Sequence, residues 1–412
     1  MTNATSHPTI IGTFSAERVR SIAAEVARRA SPEARKDYVA PRSKLDVVPL
    51  EGGPTATSSG FGLILKNGSE HLLPIKRSAL SQLANSAGVP LRYLDRLTGA
   101  GHYDLAAANI AELLSLEGTT TKGDARKHLV RTLDGSVDAF LSNSYRAISN
   151  DDILTIALAE FKAAGVTLWD LKVTDTEFRV SAVSPHITGK VTTDRAFKGP
   201  KRWEGKEGDV LNAAVTLKNS ETGHSALAAQ QSIWRFVCQN FNVWADVIAT
   251  RHLGGKLAEG EHFFSQQTRD LQAQALVSSI RDAIRTTFDP VAFQKQVDEI
   301  NATTRRELGD SPITVVDAAI KVTGLPTGYR DAILAELLGT GDVTQYGLVQ
   351  AVTSRVNPEN TKDKEVDDIV RCAFEDAGGK LLRLNDKGWK SFLTEAYKPT
   401  ETSADEVVTA SA

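Results

Sequence analysis

DVLNAAVTLKNSETGHSALAAQQSIWRFVCQN, Asp209 to Asn240, is the stretch whose reading decides the fold. Leu211, Ala213, Val215 and Leu217 share one side of a period-two pattern, and Asn212, Ala214, Thr216 and Lys218 the other, which predicts a half-buried strand. Asn219 to Gly223 have the composition of a turn, with Gly223 free to take positive φ, and Ser225, Leu227 and Ala229 restart an alternation for a returning strand. Ile233, Trp234, Phe236 and Val237 then form an apolar cluster that needs a core. The stretch reads as a long hairpin feeding a buried segment.

Outward from this hairpin, other strand pairs recur. Phe61 to Leu65 and His71 to Leu73 read as strands joined at Asn67-Gly68, and residues 128–141 as two runs hinged on Asp134-Gly135, a strong hairpin signal. Val166 to Val173 and Phe178 to Val183 are a further pair turning at Thr174 to Glu177. These runs predict one mainly antiparallel sheet of about six strands. Between them, Ala16 to Ala30 reads as an amphipathic helix capped by Ser15, with a basic outer face and a stop at Ser31-Pro32. Residues 31–60, rich in proline and glycine, read as loop with one short strand at Lys44 to Val48. Ser78 is placed to cap a helix ended by Gly88, another helix follows Pro90, and Ala106 to Leu116, apolar on most sides, reads as buried. Asn150 to Asp152 open a helix that Gly165 ends.

After His252 the patterning becomes helical over Glu261 to Thr287, Pro290 to Asn301, Ile313 to Val322, Tyr329 to Leu338, Gln345 to Arg355 and Glu365 to Ala377. Asp289-Pro290 and Ser311-Pro312 each read as an N-cap followed by an N1 proline. The expected fold is therefore α+β: a mainly antiparallel sheet with long hairpins backed by helices, followed by a helical C-terminal region. Its expected parts are a lead and amphipathic helix (1–40), a mixed core (41–257), a helical region (258–397) and a disordered tail (398–412).

Composition narrows the function classes. The 412 residues are 41% hydrophobic and 24% charged, as in an ordinary globular protein, and the net charge of −3 excludes a chain that is cationic throughout. No signal-peptide pattern and no long apolar run is seen, so a cytoplasmic protein without membrane contact is expected. Cys238 and Cys372 form no C-x-x-C pair and read as buried free thiols rather than zinc ligands or a disulfide.

The segment TTDRAFKGPKRWEGK carries Arg195, Lys198, Lys201, Arg202 and Lys206 among Phe197, Trp203 and two glycines. Cations beside aromatic faces suit single-stranded nucleic acid, because phosphates need charge and bases stack for about 1–3 kcal/mol each. Asp194, Glu204 and Glu207 dilute that charge, and a surface loop with Trp203 packed back on the protein is the alternative. RHLGGK, from Arg251 through His252 to Lys256, is a second candidate: its glycine pair lets backbone approach a phosphate, or simply makes a turn. Catalytic signals are sparse. Glu221, Asp209 and Asp246 offer hard oxygen ligands for a divalent ion without a diagnostic spacing. His224 and Ser225 are adjacent, which on a strand would point them to opposite faces. No P-loop, dinucleotide fingerprint or H-E-x-x-H occurs, and no cofactor is expected.

LSQLANSAGVPLRYLDRL (80–97), FLSNSYRAISNDDIL (140–154), KNSETGHSAL (218–227) with WRFVCQN (234–240), RHLG (251–254), TQYGLVQAVT (344–353) and AFEDAGGKLL (373–382) together resemble a phage- and plasmid-related family of unknown function. The resemblance spans about residues 40–385. It departs at Gln239-Asn240-Phe241, where a Thr-Asn-Gly type of turn would be expected. It implies a phage or plasmid setting, and the plan of hairpins and helices is similar to that of RecT-type single-strand annealing proteins. The expectation is a non-enzymatic, homo-oligomeric protein that binds single-stranded DNA and promotes annealing or recombination. The alternatives are a metal-dependent nuclease or nucleotide-processing enzyme, and an oligomeric interaction component without nucleic-acid binding.

Overall fold

The computed structural model describes residues 15–67, 69–116, 125–145, 147–192, 209–235, 241–250, 266–354 and 368–398, and among these described residues eleven strands fall into three sheets. The first sheet has the order β1-β5-β6, from β1 (Arg35–Pro41), β5 (Lys127–Leu133) and β6 (Ser136–Ser142); the second has the order β2-β3-β4, from β2 (Leu45–Pro49), β3 (Phe61–Asn67) and β4 (Ser69–Pro74). The third is a five-stranded meander of β7 (Thr167–Val173), β8 (Phe178–Val191), β9 (Asp209–Asn219), β10 (Leu227–Arg235) and β11 (Phe241–Thr250). The fold is α+β with antiparallel sheets, but the hairpins do not merge into a single sheet of six strands. The bridge from Ile75 to Val137 is parallel, and there the chain leaves β4 to run beside β6.

Two compact units divide the chain, and neither is continuous. One comprises residues 1–182, 216–230 and 247–285, and the other 183–215, 231–246 and 286–412. In the first unit, α2 (Arg77–Ser86), α3 (Leu91–Gly99) and α4 (Tyr103–Leu116) pack with the two small sheets around Phe61, Leu63, Leu65, Leu80, Leu83, Leu94 and Ile110. The amphipathic helix α1 (Ala16–Ala30) is capped by Ser15, whose hydroxyl accepts from the amide of Arg18, and it lies against α5 (Asn150–Ala163) and β7. The Asp134-Gly135 turn has φ of 51° and 76°, the doubly left-handed geometry that matches the twist of its strands. The helix α6 (Gln266–Thr287) completes the described part of this unit up to Arg285.

In the second unit the helices are α7 (Pro290–Thr303), α8 (Pro312–Thr323), α9 (Arg330–Thr340), α10 (Gln345–Thr353), α11 (Asp368–Leu382) and α12 (Asp386–Ala396). Asp289 and Ser311 cap α7 and α8 ahead of N1 prolines, by accepting from the amides of Ala292 and Thr314. Every residue of α10 is buried, so it is the central helix of the unit. Gly347 is required there, since a Cβ would lie 1.8 Å from the carbonyl oxygen of Asp342.

Several expectations are corrected. Residues 31–60 are not mainly loop, because RKDYVAP forms β1, paired along its length to β5 with the N–H-less Pro41 at its end. The strand β8 does not stop at Val183 but passes Pro185, where the hydroxyl of Ser184 accepts from the amides of His186 and Ile187. The cap of α2 is Lys76 rather than Ser78. α4 is not buried all round: Leu105 and Leu116 are exposed. α12 carries no expected boundary, since its apolar face is little more than Trp389 and Phe392. Phe236, Val237, Cys238 and the tail beyond Lys398 lie outside the described residues. No described helix is long and apolar enough to cross a membrane.

Candidate functional site

The nine residues expected to touch nucleic acid, Arg195, Lys198, Lys201, Arg202, Trp203, Lys206, Arg251, His252 and Lys256, all lie outside the described residues. The strands that carry them are described. Residues 192–208 connect β8 to β9, hydrogen-bonded neighbours, whereas residues 251–265 follow β11. In an antiparallel meander successive connections alternate between the two ends of the sheet, so the two basic segments attach at opposite ends.

The polar tip of the β9–β10 hairpin is described, and it is buried. β9 is buried on both sides: Asn212, Thr216 and Lys218 are enclosed along with Leu211, Val215 and Leu217, which corrects the half-buried strand expected from the alternation. A polar side can be enclosed when its groups find partners, as the Ser181 and Thr216 hydroxyls do at 2.9 Å. Beyond the strand, Asn219, Ser220, Glu221 and Thr222 are all under one-tenth exposed.

Side chains and backbone of the first unit meet most of this tip's polar groups, though the buried Oδ1 of Asn219 accepts no hydrogen bond among the described residues. Tyr145 donates its hydroxyl to the carbonyl of Ser220 at 2.8 Å, and Arg131 donates to that of Glu221 at 2.7 Å. Gln82 donates to the carbonyl of Thr222 at 2.7 Å while accepting from the amide of Phe140. The side-chain Nδ2 of Asn219 donates to the carbonyl of Ile148 and to Oδ1 of Asn150. The Glu221 carboxylate accepts from the Asn150 amide at 2.8 Å and pairs with Arg35 at 3.2 Å. Arg35 also reaches Asp138 at 3.3 Å, and Lys76 joins Asp138 at 2.8 Å to Asp175 at 3.1 Å. Gly223 has φ of 77°, and a Cβ there would lie 2.7 Å from Leu141, so only glycine fits.

This arrangement decides what the tip can do chemically. Both carboxylate oxygens of Glu221 are already engaged, one by a guanidinium and one by a helix-end amide, so the acid acts as an internal counter-ion. Among the described residues no group of three or more His, Cys, Asp or Glu side chains is placed to hold a metal. Tyr145 is held as a neutral donor, its pKa pushed up by burial against a lowering pull from Arg131. His224 and Ser225 lie in the bend between the strands, not on a strand. Desolvation lowers the pKa of His224, opposed by Asp138.

A second buried polar group was not anticipated from the sequence. Arg42 in the turn after β1 donates through Nε to Nε2 of His128 at 3.0 Å, and through Nη2 to the carbonyl and hydroxyl of Ser86. The Nδ1 of His128 then donates to the carbonyl of Leu141 at 3.2 Å, and its ring stacks on Phe140 at 4.5 Å. Burial, then the charges of Arg42 and Arg126, bring its pKa down to about 4. The signal available in the sequence was a pair of basic tripeptides, Arg42-Ser-Lys44 and Arg126-Lys-His128, which no local pattern connects.

Compared with models of known families, with curated proteins and with solved structures, the chain matches none.

Proposed function

We propose that this protein binds single-stranded DNA through the segment around Arg195 to Lys206, as an oligomer that promotes annealing in a phage or plasmid setting in the cytoplasm. One observation carries the reading. β8 and β9 are adjacent antiparallel strands, which a turn of two to five residues could join. Residues 192–208 take that place instead, and they interleave five cations with Phe197 and Trp203. Long connections inside compact domains are commonly functional, and this one has the cation and ring content that single strands require. The hairpin tip at the opposite end of β9 is excluded from the proposed interface, since its polar groups are spent inside the protein.

The test is fluorescence anisotropy with a labelled single-stranded oligonucleotide across a salt series. The expected result is binding at low salt whose logarithm falls linearly with the logarithm of salt, and its loss in the Lys201→Ala, Arg202→Ala, Trp203→Ala triple variant. No binding at low salt, or unchanged affinity in the triple variant, would overturn the proposal.

A further inference from the structure

The helix α4 is apolar on both of its sides, the composition of a helix that is enclosed. Its inner side, Ala106, Ala107, Ile110 and Leu114, belongs to the core it shares with α2, α3 and β2. Its outer side carries Leu105, Ala108, Asn109, Glu112, Leu113 and Leu116 at helical spacing along one face. Leu105, Leu113 and Leu116 are 50%, 38% and 69% exposed. Asn109 donates from its side-chain amide to the hydroxyl of Tyr93 at 2.9 Å, which brings that ring from α3, 42% exposed, to the edge of the same face. The Tyr93 hydroxyl hydrogen and the Glu112 carboxylate have no partner among the described residues.

We infer that the outer face of α4 is the contact between two copies of this chain, paired antiparallel about a two-fold axis. The inference rests on the oligomer in the proposed function and gives it an interface; it is independent of DNA binding. A two-fold contact must be complementary to itself, each position meeting its mirror image. The α4 face meets that demand. About a centre between Ile110 and Ala111, Leu105 mirrors Leu116, Ala108 mirrors Leu113, and Asn109 mirrors Glu112. Leucines then cover each other at both ends, the small Ala108 leaves room for the opposing leucine, and the Glu112 carboxylate meets the Asn109–Tyr93 pair, whose remaining N–H and O–H hydrogens it can accept. The area agrees. At about 200 Å² for a large side chain, the exposed fractions of the three leucines and Tyr93 give about 400 Å² per copy, the size of patch that is often functional on a monomer. Doubled by symmetry and joined by the polar positions between, the face reaches about 1,000 Å², the lower end of specific interfaces.

Two measurements test it. Sedimentation velocity between about 1 and 100 µM, the range suited to a small interface, should show a reversible dimer in the wild type. The Leu105→Glu, Leu116→Glu double variant should raise the dissociation constant by about tenfold or more, because the new carboxylates face one another across the axis. A Val322→Glu, Leu338→Glu double variant, the same kind of change at exposed apolar positions of α8 and α9, should leave it unchanged. The second measurement adds no charge: Leu105→Cys and Leu116→Cys chains, mixed under mild oxidation, should join through a disulfide between positions 105 and 116, identified by mass spectrometry, and neither chain alone should join at its new position. A wild type that stays monomeric over this range overturns the interface and the oligomer with it. A dimer as strong in the Leu105, Leu116 variant as in the wild type, an equal weakening in both double variants, or no disulfide between 105 and 116 overturns the interface alone. A dimer joined at 105 and 116 in a protein that binds no DNA at low salt supports the contact and removes only the DNA reading.

Discussion

Acidification should loosen the first unit through His128. The ring is enclosed, receives a hydrogen bond on Nε2 from Arg42, and faces Arg42 and Arg126 with no opposing acid among the groups that set its ionisation. Protonation would therefore remove an acceptor and place a third cation beside two. The folded pKa is about 4 against an ordinary value of 6.5, so the unfolded chain takes up the proton first as pH falls. Stability from this residue is fully present above about pH 6.5 and is lost progressively down to about pH 4. Between about pH 7 and pH 5 the loss works out at about 2 kcal/mol, a large part of the margin by which a domain stays folded. Urea unfolding of wild type and His128→Gln at the two pH values is the assay; glutamine keeps an acceptor for Arg42 and a donor for Leu141 without a titrating ring. The pH-dependent loss should be smaller in the variant by roughly that amount. Equal losses in both proteins, or an imidazole that titrates near 6.5 by NMR in the folded state, would refute the reasoning.

Two further substitutions probe how each unit is held. Glu221→Gln keeps an acceptor for the Asn150 amide but leaves the largely enclosed Arg35 with Asp138 as its one remaining acid partner; it should cost about 3 kcal/mol in denaturant unfolding while leaving DNA affinity of the folded protein unchanged. A variant as stable as wild type would show that the acid is not an internal counter-ion. In the second unit, β8 touches α7 at Gly189, where a Cβ would lie 2.4 Å from Val297. Gly189→Ala should lower stability by about 1–3 kcal/mol, and adding Val297→Ala should recover part of that loss; strictly additive effects of the two changes would count against the contact.

Local chemistry determined much of this fold. Ser15, Asp289 and Ser311 cap helices as their types require, and Asp134-Gly135 makes its turn, because each satisfies backbone groups within a few residues of itself. The strand character of β9 and the positive φ of Gly223 were legible for the same reason. What lay beyond the reach of sequence was partnership over distance. The alternation in β9 gave two sides, but only the tertiary structure enclosed both, since Thr216 needed Ser181 from the neighbouring strand. The turn composition of Asn219 to Gly223 looked solvent-facing, and became interior because Arg35, Gln82, Arg131 and Tyr145 arrive from elements far away in the chain. The union of Arg42-Ser-Lys44 with Arg126-Lys-His128 likewise depends on β1 pairing with β5. Caps and turns are settled by energies between near neighbours, whereas burial of a charge is decided by whichever remote group can neutralise it.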